Sequence, residues 1–421
     1  MNQKNIERLL LILISIIPIS IIVGSAASLA NIIIFDFLFI FLLFLRKEFN
    51  WINSQIIKIL LFLYLYLIFN SLIAQQPELS LFRNFGFIRL IILFIGINYL
   101  FNDIKNLNKI LKIWTLIILI LVFDIFFEKI FGKNILGFSA INSAGSHRIV
   151  SFFKDEAIPG SFVYTLSFIL IGFFLEKIKK FKTKYLIIFF LFISILFLSV
   201  VVTGERSNSL KFLISLSLFF IFLKEISFLK KIILFGSIFS IIFLAISNDS
   251  YLKGRALETS LYLIKTYKYS FTNPNPSSGG NPYAELSRSG FEVFKKYPYL
   301  GAGNKNYRIE SCLKDINKNY YCETHPHQIF FEFLSEHGLI GSIILLCIFL
   351  FILFKVFRNM SSNKNYISLG CFVYLIVVFS PVLPSGSFFT DYNLTLFFIN
   401  LSIMYAANKN LNIFNYDKKI I

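Results

Sequence analysis

The stretch YLIIFFLFISILFLSVVVT, residues 185–203, carries no charged side chain anywhere along its length. A helix needs about 20 mostly apolar residues to cross the hydrocarbon core of a bilayer, and this stretch has that length. Strands of a membrane barrel would alternate apolar and polar residues, which this continuous run does not do. The stretch is therefore predicted to be a membrane-spanning helix.

The same pattern recurs along the rest of the chain. Of its 421 residues, 56% are hydrophobic and 15% are charged, and the mean hydropathy is +0.72. Soluble proteins carry about 25% charged residues, so a soluble enzyme, a disordered chain and a disulfide scaffold are excluded. The predicted fold is an all-α polytopic membrane protein with about 12 transmembrane helices. These helices are placed at 9–25, 27–45, 55–74, 83–101, 109–128, 160–176, 185–203, 207–226, 229–247, 330–355, 365–383 and 388–407.

The net charge of +18 comes from basic residues in short clusters between the apolar runs. With the N-terminus inside, 22 of the 41 Lys and Arg residues fall in inner segments and 8 in short outer ones. An excess of Lys and Arg marks the cytoplasmic side, so both termini are predicted to be cytoplasmic. No nucleic-acid motif is present, and no nucleic-acid partner is expected. The first apolar run, which ends at Ser28-Leu29-Ala30, also resembles a cleavable signal peptide.

Two outer segments, 129–159 and 248–329, are too long to be simple connectors, and loops of such length are usually functional or disordered. The predicted organisation is therefore 1–247 with nine helices, 248–329 as a large helical periplasmic loop domain, and 330–421 with three helices and a cytoplasmic tail.

Within the large loop, Gly254–Ser270 and Tyr283–Tyr297 are predicted helices, separated by the turn-rich Asn273–Pro282 and ended by Pro298. Disulfides persist outside the cytoplasm, but the sequence leaves open whether Cys312 and Cys322 are bonded.

The segment THPHQIFFEFLSEHGLIG, Thr324–Gly341, lies where the large loop enters the tenth predicted helix. His325 and His327 flank Pro326 there, and a neutral imidazole can accept a proton near pH 7. The same histidines fit two other roles, which are capping the helix or binding a metal with a glutamate as third ligand. Further along the helix, Glu332 and Glu336 are four residues apart, so their carboxylates are predicted to lie on one face. Gly338 and Gly341 are expected to permit close contact with another helix.

Two further stretches carry arginines near expected helix starts. In TGERSNSL, Thr203–Leu210, Arg206 lies at a helix start with Ser207 as a plausible cap, which is a favourable place for an anion. An arginine that reaches lipid headgroups is the alternative. In the large loop, Arg288 opens a short helix, and Gly301 and Gly303 follow that helix. The two glycines either let the backbone approach a ligand closely or form a plain turn.

A fourth stretch, HRIVSFFKDEAIPGSF, runs from His147 to Phe162 and leads into the sixth predicted helix. Its charged residues Arg148, Asp155 and Glu156 either shape an acceptor pocket or pair with one another.

Arg89 and Asp124 are charges at similar depth in predicted helices four and five. Charges are rare inside membranes, so a shared ion pair or a polar cavity is expected for them.

In their order and sidedness, these motifs resemble the signature of the bacterial O-antigen ligase and O-antigen polymerase superfamily. The residues that carry the resemblance are Arg206, Arg288, Pro298, Gly301, Gly303, His327, Glu336, Gly338 and Gly341. Three positions depart from the usual form of the signature. This chain has Tyr297 where the family often has His, Gln328 where it commonly has Asn, and Phe331 where it commonly has Leu.

The resemblance implies a GT-C-like membrane enzyme without a metal or other cofactor. It implies a donor in which a glycan is linked to undecaprenyl pyrophosphate. The glycan would be transferred, with inversion, to an acceptor sugar hydroxyl at the periplasmic face of a bacterial inner membrane. Arg206 and Arg288 are expected to bind the pyrophosphate, and His327 to act as general base. Six residues are expected to support them: His325, Glu336, Arg148, Glu156, Gly301 and Gly303.

The acceptor separates the members of this superfamily. A ligase passes the glycan to lipid A-core, a polymerase passes it to another lipid-linked repeat, and relatives glycosylate protein. The single large outer loop favours the ligase. A transporter or flippase is a rival, but it predicts inverted repeats and charged helix breaks at mid-membrane.

Overall fold

The chain forms a bundle of α-helices in a computed structural model, which describes residues 2–139, 148–178, 182–273, 280–312, 320–360, 365–381 and 383–415. No strand occurs in these parts of the chain. The first nine helices are α1 (Gln3–Ser15), α2 (Ile17–Val23), α3 (Ser25–Arg46), α4 (Gln55–Leu72), α5 (Pro77–Phe85), α6 (Ile88–Leu100), α7 (Ile104–Phe131), α8 (Pro159–Lys177) and α9 (Thr183–Val202). The other nine are α10 (Arg206–Phe222), α11 (Phe228–Asn248), α12 (Ser250–Lys253), α13 (Thr259–Thr272), α14 (Pro282–Lys296), α15 (Tyr307–Ser311), α16 (Ile329–Met360), α17 (Tyr366–Val378) and α18 (Asp391–Ala407).

Each of the predicted membrane segments falls on a helix or on a pair of consecutive helices. Over the described residues, 8 helices are long and apolar enough to cross a bilayer, with α5 and α6 taken as one. The number rises to 9 when α1 and α2, bent by 48° at Ile16, are also taken as one. The remaining segments are shorter, since α10 and α18 have 17 residues each and α17 has 13. The count of twelve therefore stays a prediction.

Helix α8 lies at the centre of the bundle, and α11 lies at its edge. In α8, 83% of the apolar stretch is buried by contacts with α9, α17 and other helices, whereas in α11 only 11% is. Because a bilayer covers exposed apolar side chains, the outward face of α11 needs no protein partner.

The two long segments predicted outside the membrane meet at one end of the bundle, here named the loop end. The ammonium of Lys129, at the end of α7, lies 2.5 Å from the carboxylate of Asp249, which precedes α12. The two predicted helices of the larger segment are present as α13 and α14, and the side chain of Asn281 caps α14 by accepting from Tyr283 N at 3.1 Å. Most of the turn between them, 274–279, lies outside the described residues. Cys312 and Cys322 form a disulfide, which answers the question left open by the sequence.

Helix α16 is broken at Gly338, whose φ of 66° and ψ of −169° are not helical. The loop at 298–303 fills this break with its own backbone. Gly338 has to be a glycine, because a Cβ there would overlap the backbone of that loop. Four backbone hydrogen bonds replace the helical ones: Ala302 N to Ser335 O at 2.9 Å, Gly303 N to Glu336 O at 2.9 Å, Leu339 N to Pro298 O at 2.8 Å and Ile340 N to Tyr299 O at 3.1 Å.

Candidate functional site

A cavity of about 520 Å³ opens at the loop end, between the N-terminal ends of α8, α10 and α14 and the segment that precedes α16. Arg206 and His327, which lie far apart in the sequence, both line it. Its charged lining consists of four basic residues, Arg148, Arg206, Lys211 and Arg255, and two acidic ones, Glu156 and Glu205. Basic side chains therefore outnumber acidic ones, which favours an anionic ligand.

The turn between α9 and α10 sets the position of Arg206. Gly204 has a φ of +75°, and Glu205 is the residue before the helix. The Glu205 carboxylate accepts hydrogen bonds from the backbone N–H groups of Gly160 at 2.7 Å and Ser161 at 3.0 Å, at the start of α8. It therefore caps a neighbouring helix. The prediction that Ser207 caps α10 is wrong, because the helix already includes it.

Two further arginines lie close enough to Arg206 for their charges to repel it. Arg255 lies on a turn of π-helix, Gly254–Glu258, and its Nε donates to Gly204 O at 2.7 Å. Arg148 donates from Nη2 to Ala157 O at 2.5 Å. Arg206 Nη1 is buried and finds no hydrogen-bond partner among the described residues. Guanidinium groups in such proximity repel one another, and an anion between them would relieve that repulsion.

His327 faces the same cavity from the segment before α16. Its backbone has a φ of +54°, and its carbonyl accepts a hydrogen bond from Ser385 N at 2.9 Å. Burial lowers the pKa of His327 below its usual range, against the opposing effect of the Glu323 carboxylate. The imidazole is therefore neutral at pH 7 and has a lone pair for a proton.

Two aromatic side chains flank that imidazole. The centroid of the His325 ring lies 3.9 Å from that of His327, and that of Tyr283 lies 6.5 Å away, edge to face. Tyr283 also interacts with Arg206, so it touches both predicted functional groups. Burial, followed by the nearby His327, lowers the pKa of His325 to about 3. Because His325 does not line the cavity, its contact with substrate would be indirect.

The segment that carries the histidines is held at both ends. A Cβ at Gly290 of α14 would lie 3.0 Å from the ring of Pro326, so glycine allows the two to pack closely. Gln328 accepts from Phe331 N at 2.9 Å, as the cap of α16, and donates to Pro381 O at 2.8 Å. Helix α16 begins at Ile329, one residue before the predicted start at residue 330.

Arg288 does not line the cavity. It is 6% exposed, and its Nη1 donates to Ser270 O at 2.7 Å and to Asn273 O at 3.0 Å, at the end of α13. These bonds join α13 to α14, the helix whose first turn carries Tyr283. The geometry thus gives Arg288 a positioning role and no contact with a ligand in this cavity.

Glu336, Gly301 and Gly303 also lie away from the cavity, at the break in α16. The Glu336 carboxylate is buried and accepts from Tyr307 N at 3.4 Å. A Cβ at Gly301 would overlap the backbone of Glu336, and one at Gly303 would overlap Ala74. Both glycines therefore allow the chain to pack against itself. Of the expected supporting residues, only Arg148 and Glu156 line the cavity.

Of the two alternatives predicted for Arg89 and Asp124, a shared ion pair or a polar cavity, the ion pair does not form. Arg89 is paired with Asp391 at the start of α18. Asp124 is fully buried and accepts hydrogen bonds from Ser151 Oγ and from Ile135 N, the latter at 2.9 Å. Arg89 and Asp124 therefore contact different parts of the chain and not each other.

Over the described residues, no three His, Cys, Asp or Glu side chains are grouped so that they could hold a metal ion. Two residues that the sequence analysis missed, Arg255 and Tyr283, complete the polar lining on the side of the large loop. The only sequence signal for Tyr283 is its place directly after the Asn-Pro start of α14.

Residues 188–346 match the family model described as O-antigen ligase. This segment is similar to O-antigen ligase domains. The predicted relationship to the O-antigen ligase and polymerase superfamily is thereby confirmed. Members of the family are glycosyltransferase-like enzymes that act in general on lipid-linked glycans and acceptors. The matched range includes Arg206, Arg255, Tyr283 and His327, and Arg148 lies before it. No curated protein matches the chain.

Proposed function

We propose that the chain transfers a glycan from an undecaprenyl-pyrophosphate carrier to an acceptor sugar hydroxyl inside the 520 Å³ cavity. The observation that carries this proposal is the presence of Arg148, Arg206, Arg255 and His327 in the lining of one cavity. Planar guanidinium groups bind phosphate oxygens through paired N–H donors, so three of them suit a diphosphate. Arg255 and Arg148 replace Arg288 as the proposed partners of Arg206.

The proposed step is a direct displacement. The acceptor oxygen attacks the anomeric carbon of the donor as its proton passes to the neutral imidazole of His327. The bond from that carbon to the pyrophosphate oxygen breaks, and the bonding electrons leave with the diphosphate. The guanidinium groups stabilise the charge that grows on the leaving group, which is where fixed cations accelerate a reaction most. Attack opposite the leaving group inverts the anomeric centre, and the proton on His327 then returns to water.

For the membrane arrangement, we propose a bacterial inner membrane with both termini cytoplasmic and the cavity periplasmic. The excess of basic residues in the predicted inner segments supports this orientation. The cavity lies at the loop end, formed jointly by the three proposed parts 1–247, 248–329 and 330–421. Fusion of alkaline phosphatase and of green fluorescent protein after residue 415 tests the proposal. Fluorescence without phosphatase activity is expected, and the reverse result would overturn the orientation.

For the acceptor, we propose lipid A-core, with a second lipid-linked repeat as the alternative. Deletion of the chain from its host, followed by gel analysis of surface glycans, distinguishes the two. Bare core with long chains retained on the carrier lipid would identify a ligase. Single repeats attached to core would identify a polymerase.

The His327→Ala variant tests the proposed chemistry. Loss of a general base lowers rates by about 10²–10⁴-fold, so glycan transfer by the purified variant should fall by that factor. The His325→Ala variant is the matched control, because its ring touches His327 without lining the cavity. It should lose less than His327→Ala. Transfer by His327→Ala at more than a tenth of the normal rate would place the base elsewhere.

A further inference from the structure

A second cavity, of about 630 Å³, lies between α3, α5, the start of α6, the start of α18, and α15 with the segment that precedes it. None of its lining residues lines the first cavity. Its polar wall carries four basic side chains, and its only carboxylate among the described residues is Asp391. The basic side chains are Arg83, Arg89, Lys305 and Arg308.

Asp391 neutralises only part of this charge. Its Oδ1 contacts the guanidinium groups of both Arg83, at 2.5 Å, and Arg89. One carboxylate thus faces two guanidinium groups, and Arg89 Nε is buried without a hydrogen-bond partner among the described residues. One positive charge remains from this group alone.

Lys305 and Arg308 add to the surplus. The Lys305 ammonium donates to Ser387 Oγ at 3.2 Å, and the carboxylates of Glu332 and Glu336 on α16 attract it. Burial lowers the pKa of Lys305, and repulsion from Arg83 and Arg308 contributes in the same direction. Even if the two glutamates neutralise Lys305 fully, Arg308 is left, because it makes no ion pair in the described parts of the chain. Its Nε is buried and lacks a hydrogen-bond partner there as well.

The opposite wall of the cavity is apolar and continues along the outside of the bundle. Leu29 and Ile33 of α3 line the cavity, and Ile33 is 39% exposed. Phe37, one turn further along the same face, is 72% exposed, and Phe44 is 64% exposed. At about 1.5 Å per residue, the stripe from Leu29 to Phe44 is about 22 Å long, more than half of a hydrocarbon core about 30 Å thick.

We propose that this second cavity binds the phosphate headgroup of an anionic membrane lipid, whose acyl chain lies along the apolar stripe of α3. The surplus guanidinium groups meet the phosphate oxygens, and the side chains of Leu29, Ile33 and Phe37 contact the chain. A free phosphate ion would use the cations but leave the stripe without a ligand. The headgroup site is separate from the cavity proposed for glycan transfer and does not depend on that function.

Native mass spectrometry of the full chain in detergent micelles, titrated with phosphatidylglycerol, tests the proposal. The wild type should bind one phosphatidylglycerol more tightly than zwitterionic phosphatidylcholine. Arg308→Gln removes a charged donor without breaking an ion pair, and it should weaken phosphatidylglycerol binding about tenfold or more. Arg358→Gln is the matched control. This arginine is exposed near the far end of α16, and its loss should change binding by less than twofold.

A second variant separates a lipid from a free phosphate ion. Ile33→Gln should weaken phosphatidylglycerol binding and leave the binding of inorganic phosphate unchanged, because only the acyl chain contacts this residue. Equal phosphatidylglycerol binding by the wild type and Arg308→Gln would overturn the site. Binding of inorganic phosphate as tight as that of phosphatidylglycerol, with no effect of Ile33→Gln, would overturn the lipid as its occupant.

Discussion

Replacement of Gly301 by alanine should destabilise the fold by about 3–4 kcal/mol, because two costs add. The first is the positive φ of +75°, which costs a side-chain-bearing residue about 1–2 kcal/mol. The second is the overlap of the new Cβ with the backbone of Glu336, which forces the loop away from α16. The hydrogen bonds from Ala302 N and Gly303 N to α16, 2.9 Å each, would then be lost at about 1 kcal/mol apiece.

Gly132 provides a matched control for this prediction. Its φ is +74°, almost identical to that of Gly301, but a Cβ there would meet no atom within 4 Å. Gly132→Ala should therefore cost only the backbone term, about 1–2 kcal/mol. Equilibrium unfolding in mixed detergent micelles, followed by circular dichroism, measures both variants. Equal losses for the two would refute the proposed contact between the loop and the break in α16.

Three further changes have defined outcomes. Arg206→Lys keeps the charge but loses the paired donors, so transfer should fall about tenfold or more in a purified assay, and a near-normal rate would remove the role of the guanidinium. Since burial lowers the pKa of His327, the acid limb of kcat/KM should lie below pH 6.5. Because of the same shift, the unfolded chain binds more protons than the folded chain. Stability should therefore decline as pH falls below about 6.5, which thermal unfolding across pH would show. Arg288→Ala should destabilise the fold by about 2–3 kcal/mol, because the buried carbonyl of Ser270 and the part-buried carbonyl of Asn273 lose their donor. An unchanged unfolding midpoint would contradict that role.

The helices could be predicted from the sequence because a bilayer offers the backbone no hydrogen-bond partners, so an apolar run has to be helical. Details that depend on distant parts of the chain could not. The break of α16 at Gly338 requires the loop at 298–303 to supply replacement hydrogen bonds, and no local pattern indicates that pairing. The bend at Ile16, in contrast, has a local cause, because Pro18 in the first turn of α2 has no backbone N–H for a helical hydrogen bond.

In the site as well, the sequence predicted residues in local motifs and missed contacts that depend on distant parts of the chain. Arg206 and His327 were singled out because each stands at the edge of an apolar run in a polar motif, and they line one cavity. Arg255 was missed because a turn of π-helix, which has no sequence pattern, brings it to Gly204. Asp124 was the wrong ion-pair partner to predict for Arg89, because Arg89 pairs with Asp391, which lies 302 residues further along the chain.

The central claim is that Arg206 binds the diphosphate of the donor and His327 removes the proton of the acceptor, in one cavity. Binding of undecaprenyl pyrophosphate and rate of glycan transfer, measured on the same purified His327→Ala and Arg206→Gln variants, test it most directly. His327→Ala should bind the carrier within about threefold of wild type while transfer falls about 10²-fold or more, whereas Arg206→Gln should lose about tenfold in binding. Carrier binding that is unchanged in Arg206→Gln, or transfer that persists in His327→Ala, would contradict the claim.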